Sequence, residues 1–408
     1  PGDTSIGRRG GAMTFDFPSR HMIEALRSGI PSRAVGRYFS EARPKIMQEL
    51  IHDLDAVRND GFSGGKVISG KYGEGKTHLL NTVSSLAHAN NMVVSLISLS
   101  KETPFDKLYH VYKNVVNNTY LPQRMQPGFM QEIEELTSNS PLSNELLLYC
   151  AKRLETDRLY YVLRSYLNSD DQDEKYLLQT DLEGDFVPNM QIKQIYRRIF
   201  DEKVTFSTNF VKSKHYRDYF AFLSQFFRLS GYSGWVLLFD ETELTGRLGK
   251  KTRLKAYANM ADFLFPQKPF TSMYSLFAIS SSYAEDVIES KHEFESLREL
   301  YLEDDARPIR QVLDAILNAT QLTPLTKDEV REVVLRLVDF HGKAYGWTPS
   351  VDLAELMRAM DKGGHLLRTK IRCAIEYLDQ LYQYGDAGQS TVQSLYLGNF
   401  DEDEMPTL

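Results

Sequence analysis

Gly70-Lys71-Tyr72-Gly73-Glu74-Gly75-Lys76-Thr77 fits G-x-x-x-x-G-K-[ST] at every fixed position. Residues of these types at this spacing do one kind of chemistry, which is to hold the phosphates of a nucleoside triphosphate. The loop's backbone N–H groups must curl around an anion, and Gly70, Gly73 and Gly75 permit that curl without a Cβ clash. Lys76 brings a point charge to the β- and γ-phosphates, and the Thr77 hydroxyl is a ligand for Mg²⁺. Glu74 and His78 fall in the same stretch and are expected to line the nucleotide. A helix after the loop would aim its positive end at the anion.

A second constellation lies far along the chain. Asp240-Glu241 closes the apolar run Trp235-Val236-Leu237-Leu238-Phe239. The C-terminal ends of parallel strands face the ligand crevice, so this pair belongs there. Asp240 is expected to hold Mg²⁺, directly or through water. Glu241 is expected to take a proton from the attacking water, or to orient it. Glu243 is the alternative for that role, and an ordinary acidic turn is the structural alternative for the whole pair. The next apolar run, Ser275 to Ile279, ends in Ser280-Ser281-Ser282, which puts Ser281 forward for the γ-phosphate or the water.

Basic residues supply further candidates. Arg368 and Arg372 sit four apart near the C-terminus, with Arg368 the phosphate-sensor candidate and Arg372 matched to Glu376 at helical spacing. Arg298, Arg307 and Arg310 are arginine-finger candidates or plain surface residues. Arg247 to Lys255 carries Arg247, Lys250, Lys251, Arg253 and Lys255, which could meet nucleic-acid phosphates, an acidic neighbour or solvent.

These residues need a scaffold. Lys66-Val67-Ile68-Ser69 reads as a buried strand, Thr77 to Ala89 as a helix, and Met92 to Leu99 as a second strand. Strand, loop, helix, strand is a βαβ unit and implies a parallel sheet. The fold expected is an α/β P-loop core with a helical insertion and a C-terminal all-helical lid. Its divisions are a helical segment over 14–60, the core over 61–325 with the insertion at about 101–230, the lid over 326–386, and an acidic tail over 387–408. In the first segment, Ile46, Leu50, Ile51, Leu54 and Val57 make one apolar helix face. In the lid, Thr326-Lys327-Asp328-Glu329 matches a capping box. Leu367, Ile371, Ala374, Leu378 and Leu381 stripe the last helix. Pro1 to Met13 lack the apolar stretch of a signal peptide and stand outside the fold reading.

The whole-chain numbers narrow the classes. The chain has 408 residues, 42% hydrophobic and 25% charged, which is ordinary for a globular protein and excludes disordered or collagen-like chains. No apolar run approaches the roughly 18 residues that span a bilayer. The only cysteines are Cys150 and Cys373, so there is no disulfide framework, and a cytoplasmic location is the expectation. A net charge of -7 removes whole-surface attraction to nucleic acid. No N-K-x-D signature for guanine occurs, which favours ATP over GTP. The long insertion and helical lid argue against a small-molecule kinase.

Taken together, the phosphate loop, the D-E strand, the polar strand end and the helical lid with its arginine resemble the AAA+ ATPases, in the initiator-like branch. A closer resemblance is to the ATP-binding proteins of bacterial BREX phage-defence systems, BrxD and its relatives. It rests on Ile23 to Pro31 (I-E-A-L-R-S-G-I-P), Gly70 to Leu80 (G-K-Y-G-E-G-K-T-H-L-L), Ser98 to Pro104 (S-L-S-K-E-T-P) and Gly234 to Glu241. The resemblance covers most of residues 20–385. It implies an ATP- and Mg²⁺-using ATPase that works as a switch or motor with other subunits of a defence complex, with DNA and further copies of itself as possible partners. Initiators add a DNA-binding winged helix after the lid, for which the residues after about 385 are too few. The 101–230 insertion exceeds a minimal AAA+ core. The alternative reading is a nucleotide-dependent scaffold with negligible hydrolysis that recruits protein partners.

Overall fold

The computed structural model describes residues 17–28, 43–124, 126–266, 268, 270–362 and 367–385. The acidic tail and Gly363-Gly364 lie outside them, as do the side chains of Phe17, Pro18, Ser28 and Arg368. The chain divides into two units, residues 44–323 and residues 1–43 with 324–408. The first described helix, α1 (Phe17–Ser28), belongs to the second unit.

The α/β unit starts with α2 (Pro44–Asp60). The segment expected over 14–60 is thus shared between the units: α2 goes with the sheet and α1 with the C-terminal helices. Met47, Leu50, Leu54 and Val57 are buried on α2, whereas Ile51 is 41% exposed, so the apolar face is rotated from the one the sequence spacing suggested. Then come β1 (Gly64–Gly70), α3 (Lys76–Ala89) and β2 (Met92–Ser98). The helical insertion follows as α4 (Leu108–Asn117), the short β3 (Thr119–Tyr120), α5 (Met130–Glu134), α6 (Pro141–Lys152), α7 (Arg158–Asn168), α8 (Gln172–Leu182), α9 (Asn189–Phe200), α10 (Lys212–His215) and α11 (Arg217–Leu229). The core resumes with β4 (Gly234–Asp240), a 3₁₀ segment (Thr242–Arg247), α12 (Lys250–Leu264) and β5 (Met273–Ser280). A π-helical turn (Ala284–Glu289), α13 (Glu293–Leu300), α14 (Glu303–Leu317) and β6 (Thr320–Gln321) complete it.

The six strands form one sheet in the order β3-β2-β4-β5-β1-β6. All neighbours are parallel except the antiparallel pair β2–β3, so the sheet is mixed but mostly parallel. The insertion thus contributes one two-residue strand to the sheet. Every residue of β4 is buried, which explains its unbroken apolar run. Val236 and Leu238 face one apolar cluster, shared with Leu54 of α2 and Leu80 and Val83 of α3. Trp235, Leu237 and Phe239 face the other, filled by aromatics of α11 and α12. This is the period-2 alternation of a strand covered on both sides. Buried hydroxyls fix its register. The Trp235 indole N–H donates to Ser95 Oγ at 2.9 Å, Ser95 Oγ and Thr119 Oγ1 lie 2.7 Å apart, and Thr119 donates to the Val115 carbonyl at 2.7 Å.

One buried ion pair holds the insertion together. Arg158 of α7 and Asp181 of α8 are both fully buried and hydrogen-bonded to each other. Asp181 also accepts the Tyr219 hydroxyl at 2.6 Å and the Val187 N–H at 3.0 Å. Arg158 donates to Tyr219 Oη at 3.0 Å, to the Val187 carbonyl at 2.6 Å and to Asn189. Its guanidinium lies over the rings of Phe186 and Phe210.

The second unit packs α1 with α15 (Lys327–Tyr345), α16 (Leu353–Lys362) and α17 (Leu367–Tyr384). Thr326 and Glu329 form the reciprocal capping box. Ile371, Ala374 and Leu378 are buried on α17, with Leu367 and Leu381 packed at the margin. Arg27 ties α1 to α17 through both Asp379 oxygens at 2.9 Å. Asp379 also meets the His341 ring, which accepts the Trp347 indole N–H at 3.0 Å.

Candidate functional site

The phosphate loop joins the C-terminal end of β1 to the start of α3. Gly73 and Gly75 adopt φ of 80° and 91°, in the left-handed region where a side chain is strained. Gly75 is the N-cap, so the helix begins at Lys76 and its first-turn N–H groups open onto the loop. Glu74 shapes the loop from within: its carboxylate accepts the Lys71 N–H at 2.7 Å, while its own N–H donates to the Lys71 carbonyl at 3.2 Å. The strand order puts β5 between β1 and β4, and Gly70 pairs with Ser280 across the sheet. The Ser281 N–H donates to the Gly70 carbonyl at 3.2 Å, so the polar strand end abuts the loop.

The acidic pair meets the loop directly. Thr77 Oγ1 donates to Asp240 Oδ2 at 2.5 Å, bridging residues 163 apart in sequence. The other Asp240 oxygen accepts the Glu241 N–H at 3.0 Å. A hydroxyl and a carboxylate in contact are hard oxygen donors. They suit Mg²⁺, which keeps several waters and takes its remaining ligands from phosphate. Among the described residues no cluster of three or more His, Cys, Asp or Glu could hold a metal.

Lys76 is buried, with 9% of its side chain exposed, and donates to the Gly70 carbonyl at 2.9 Å. Glu243 stands 3.9 Å from the same ammonium. Sequence spacing offered Glu243 only as an alternative base, and its contact with Lys76 depends on the 3₁₀ path of the chain after β4. Burial pushes the Glu243 carboxyl above the ordinary range. Glu241 is exposed as a residue and takes a left-handed backbone, φ 56°. Partial desolvation and the Asp240 charge still push its carboxyl up.

Other candidates fare differently. Arg253 is 4% exposed and paired with the fully buried Glu293, and Lys250 reaches Glu299 at 3.4 Å. The basic run is therefore not one solvated face, because its partners lie 40 and 49 residues onward and were invisible to local reading. Arg310 pairs with Glu303 at 3.0 Å on its own helix, whereas Arg298 and Arg307 are exposed. His78 is half-buried near the start of α3. Arg372 is exposed on α17, and the side chain of Arg368 lies outside the described residues. Cys150 and Cys373 are both buried, and burial pushes the Cys150 thiol up, away from reactivity. A separate polar cavity of about 290 Å³ is lined by Glu155, Lys214, Arg217, Asp262 and their neighbours, none of them in the loop or the acidic pair. Among the described residues no helix is long and apolar enough to cross a membrane.

A family model described as "BREX system ATP-binding protein BrxC/D" matches residues 17–137 and 161–394. The chain belongs to this family. No curated protein and no solved structure gave a match. BrxC/D membership makes this an ATP-binding protein of a BREX phage-defence system, and the P-loop α/β architecture agrees with that. Both halves of the site fall inside the matched stretches. The unmatched residues 138–160 fall in the helical insertion and take in α6 and the start of α7.

Proposed function

We propose that this BrxC/D-family chain hydrolyses Mg·ATP as an AAA+-type switch or motor of a BREX assembly. The observation that carries the reading is the 2.5 Å hydrogen bond between Thr77 and Asp240, which joins the phosphate loop to the acidic strand. Gly70, Gly73, Glu74, Gly75 and His78 belong to the nucleotide-binding stretch, and Lys76 neutralises charge on the β- and γ-phosphates. Thr77 and Asp240 would hold Mg²⁺, which when bound offsets the phosphate charge. Glu241 orients the attacking water and takes its proton, and Ser281 is assigned to the γ-phosphate or that water. Arg368 is assigned the sensor role. The cytoplasm, a homo-oligomer, protein partners and DNA contact belong to the same reading.

The test is nucleotide binding and turnover by purified full-length chain. Lys76→Ala is expected to abolish binding. Glu241→Gln is expected to bind ATP while turnover falls by about 10²–10⁴-fold, the range for a positioned acid or base. Full turnover in Glu241→Gln combined with its loss in Glu243→Gln would reassign the base. The exposure and left-handed backbone of Glu241 favour a second reading, a scaffold that binds ATP and scarcely hydrolyses it. Turnover measured with and without duplex DNA, at low and moderate salt, separates the two. Stimulation that fades with salt marks phosphate contacts, and negligible turnover throughout supports the scaffold.

A further inference from the structure

The Lys76 ammonium has two partners of unequal kind. The Gly70 carbonyl accepts a hydrogen bond at 2.9 Å, and Glu243 Oε1 stands at 3.9 Å, close enough for charge attraction but beyond hydrogen bonding. The second Glu243 oxygen is buried and finds no partner among the described residues. This carboxylate is therefore held by its charge contact with Lys76 and by a hydrogen bond from its own backbone N–H, with one oxygen left over. A buried ion whose partner is drawn away pays a large desolvation penalty. Phosphate oxygens arriving at Lys76 would do that to Glu243, and they would also set negative charge against it.

The segment carrying Glu243 is poorly anchored. It is entered through the left-handed Glu241 and runs as a six-residue 3₁₀ turn, a form whose hydrogen bonds are weaker than those of an α-helix. The Thr242 and Thr245 hydroxyls are likewise buried without partners among the described residues. Three buried polar atoms lacking partners in so short a stretch make its present packing easy to leave. Its far end is tethered, since Lys291 donates to the Gly246 carbonyl at 2.7 Å.

We propose that Glu243 is a positioning residue that competes with the γ-phosphate for Lys76, so that triphosphate binding displaces it and re-orders residues 242–247. The proposal deepens the ATPase reading and rests on it, since it takes Lys76 as the phosphate ligand. Glu243 thereby lowers affinity for ATP in particular and converts occupancy of the site into movement of the chain between β4 and α12. Protonation, which burial of the carboxyl favours, works against this competition, because a neutral Glu243 no longer competes.

The test is calorimetric titration of full-length wild type and Glu243→Gln with Mg·ATP and Mg·ADP. Glu243→Gln is expected to bind Mg·ATP roughly tenfold more tightly, the scale of one charge contact near 4 Å in a partly screened site. Mg·ADP, which brings only the β-phosphate to Lys76, is expected to gain less, about twofold or under. Equal or weaker ATP affinity, or equal gains for both nucleotides, overturns the proposal. Hydrogen exchange on the wild type is the companion measurement and needs no variant to fold. Amides of 242–247 should change their exchange on adding Mg·ATP and not on adding Mg·ADP, and unchanged exchange with ATP overturns the proposal. A wild type that binds neither nucleotide sinks the ATPase reading itself and this one with it.

Discussion

Two ion pairs in the α/β unit are built in opposite ways. Arg158–Asp181 joins helices of the insertion, and both partners are fully buried. Each makes several further hydrogen bonds, and the guanidinium is flanked by Phe186 and Phe210. Lys76–Glu243 joins the phosphate loop to the 3₁₀ turn at 3.9 Å and leaves one carboxylate oxygen without a partner. A saturated pair has no cheaper arrangement, so it fixes structure. An unsaturated pair has a cheaper arrangement waiting with a better ligand, so it can serve chemistry. Arg253–Glu293 stands between them: it is buried and bonded, yet Glu293 Oε2 finds no partner among the described residues.

That ordering can be broken by measuring stability in chemical denaturation. Asp181→Ala strands the Arg158 charge and should cost about 3–5 kcal/mol, the largest effect of the series. Glu293→Gln keeps an acceptor for Arg253 and removes only the charge, so about 1–3 kcal/mol is expected. Glu243→Gln keeps the side-chain size and an acceptor and loses one charge contact with Lys76, so about 1 kcal/mol or less is expected, the smallest effect of the series. A cost for Glu243→Gln as large as that for Asp181→Ala would erase the distinction between a structural and a functional pair. A negligible cost for Asp181→Ala would do the same from the other side.

The two regions were also unequally legible. The loop could be read because its chemistry is local: Gly73, Gly75, Lys76 and Thr77 act through backbone shape within one turn. Asp240 could be placed because the fully buried β4 leaves an unbroken apolar run that stops at the acid. Lys76–Glu243, Arg158–Asp181 and Arg253–Glu293 were not legible, since each pairs side chains brought together by tertiary folding. The same limit applied to the basic run, whose Arg253 turns inward to Glu293. The apolar stripe of α2 showed that a helix forms, but not that it packs on the sheet while α1 joins the C-terminal helices.

The proposed function depends on Lys76, Thr77 and Asp240 acting together on one Mg²⁺-bound triphosphate. Titrating the full-length chain with ATP, first with Mg²⁺ and then with the metal chelated, tests this most directly. Saturable binding that weakens at least roughly tenfold without Mg²⁺ is the predicted result, as expected when the metal links the phosphates to the Thr77–Asp240 pair. No measurable heat under either condition, or one affinity regardless of the metal, would contradict it.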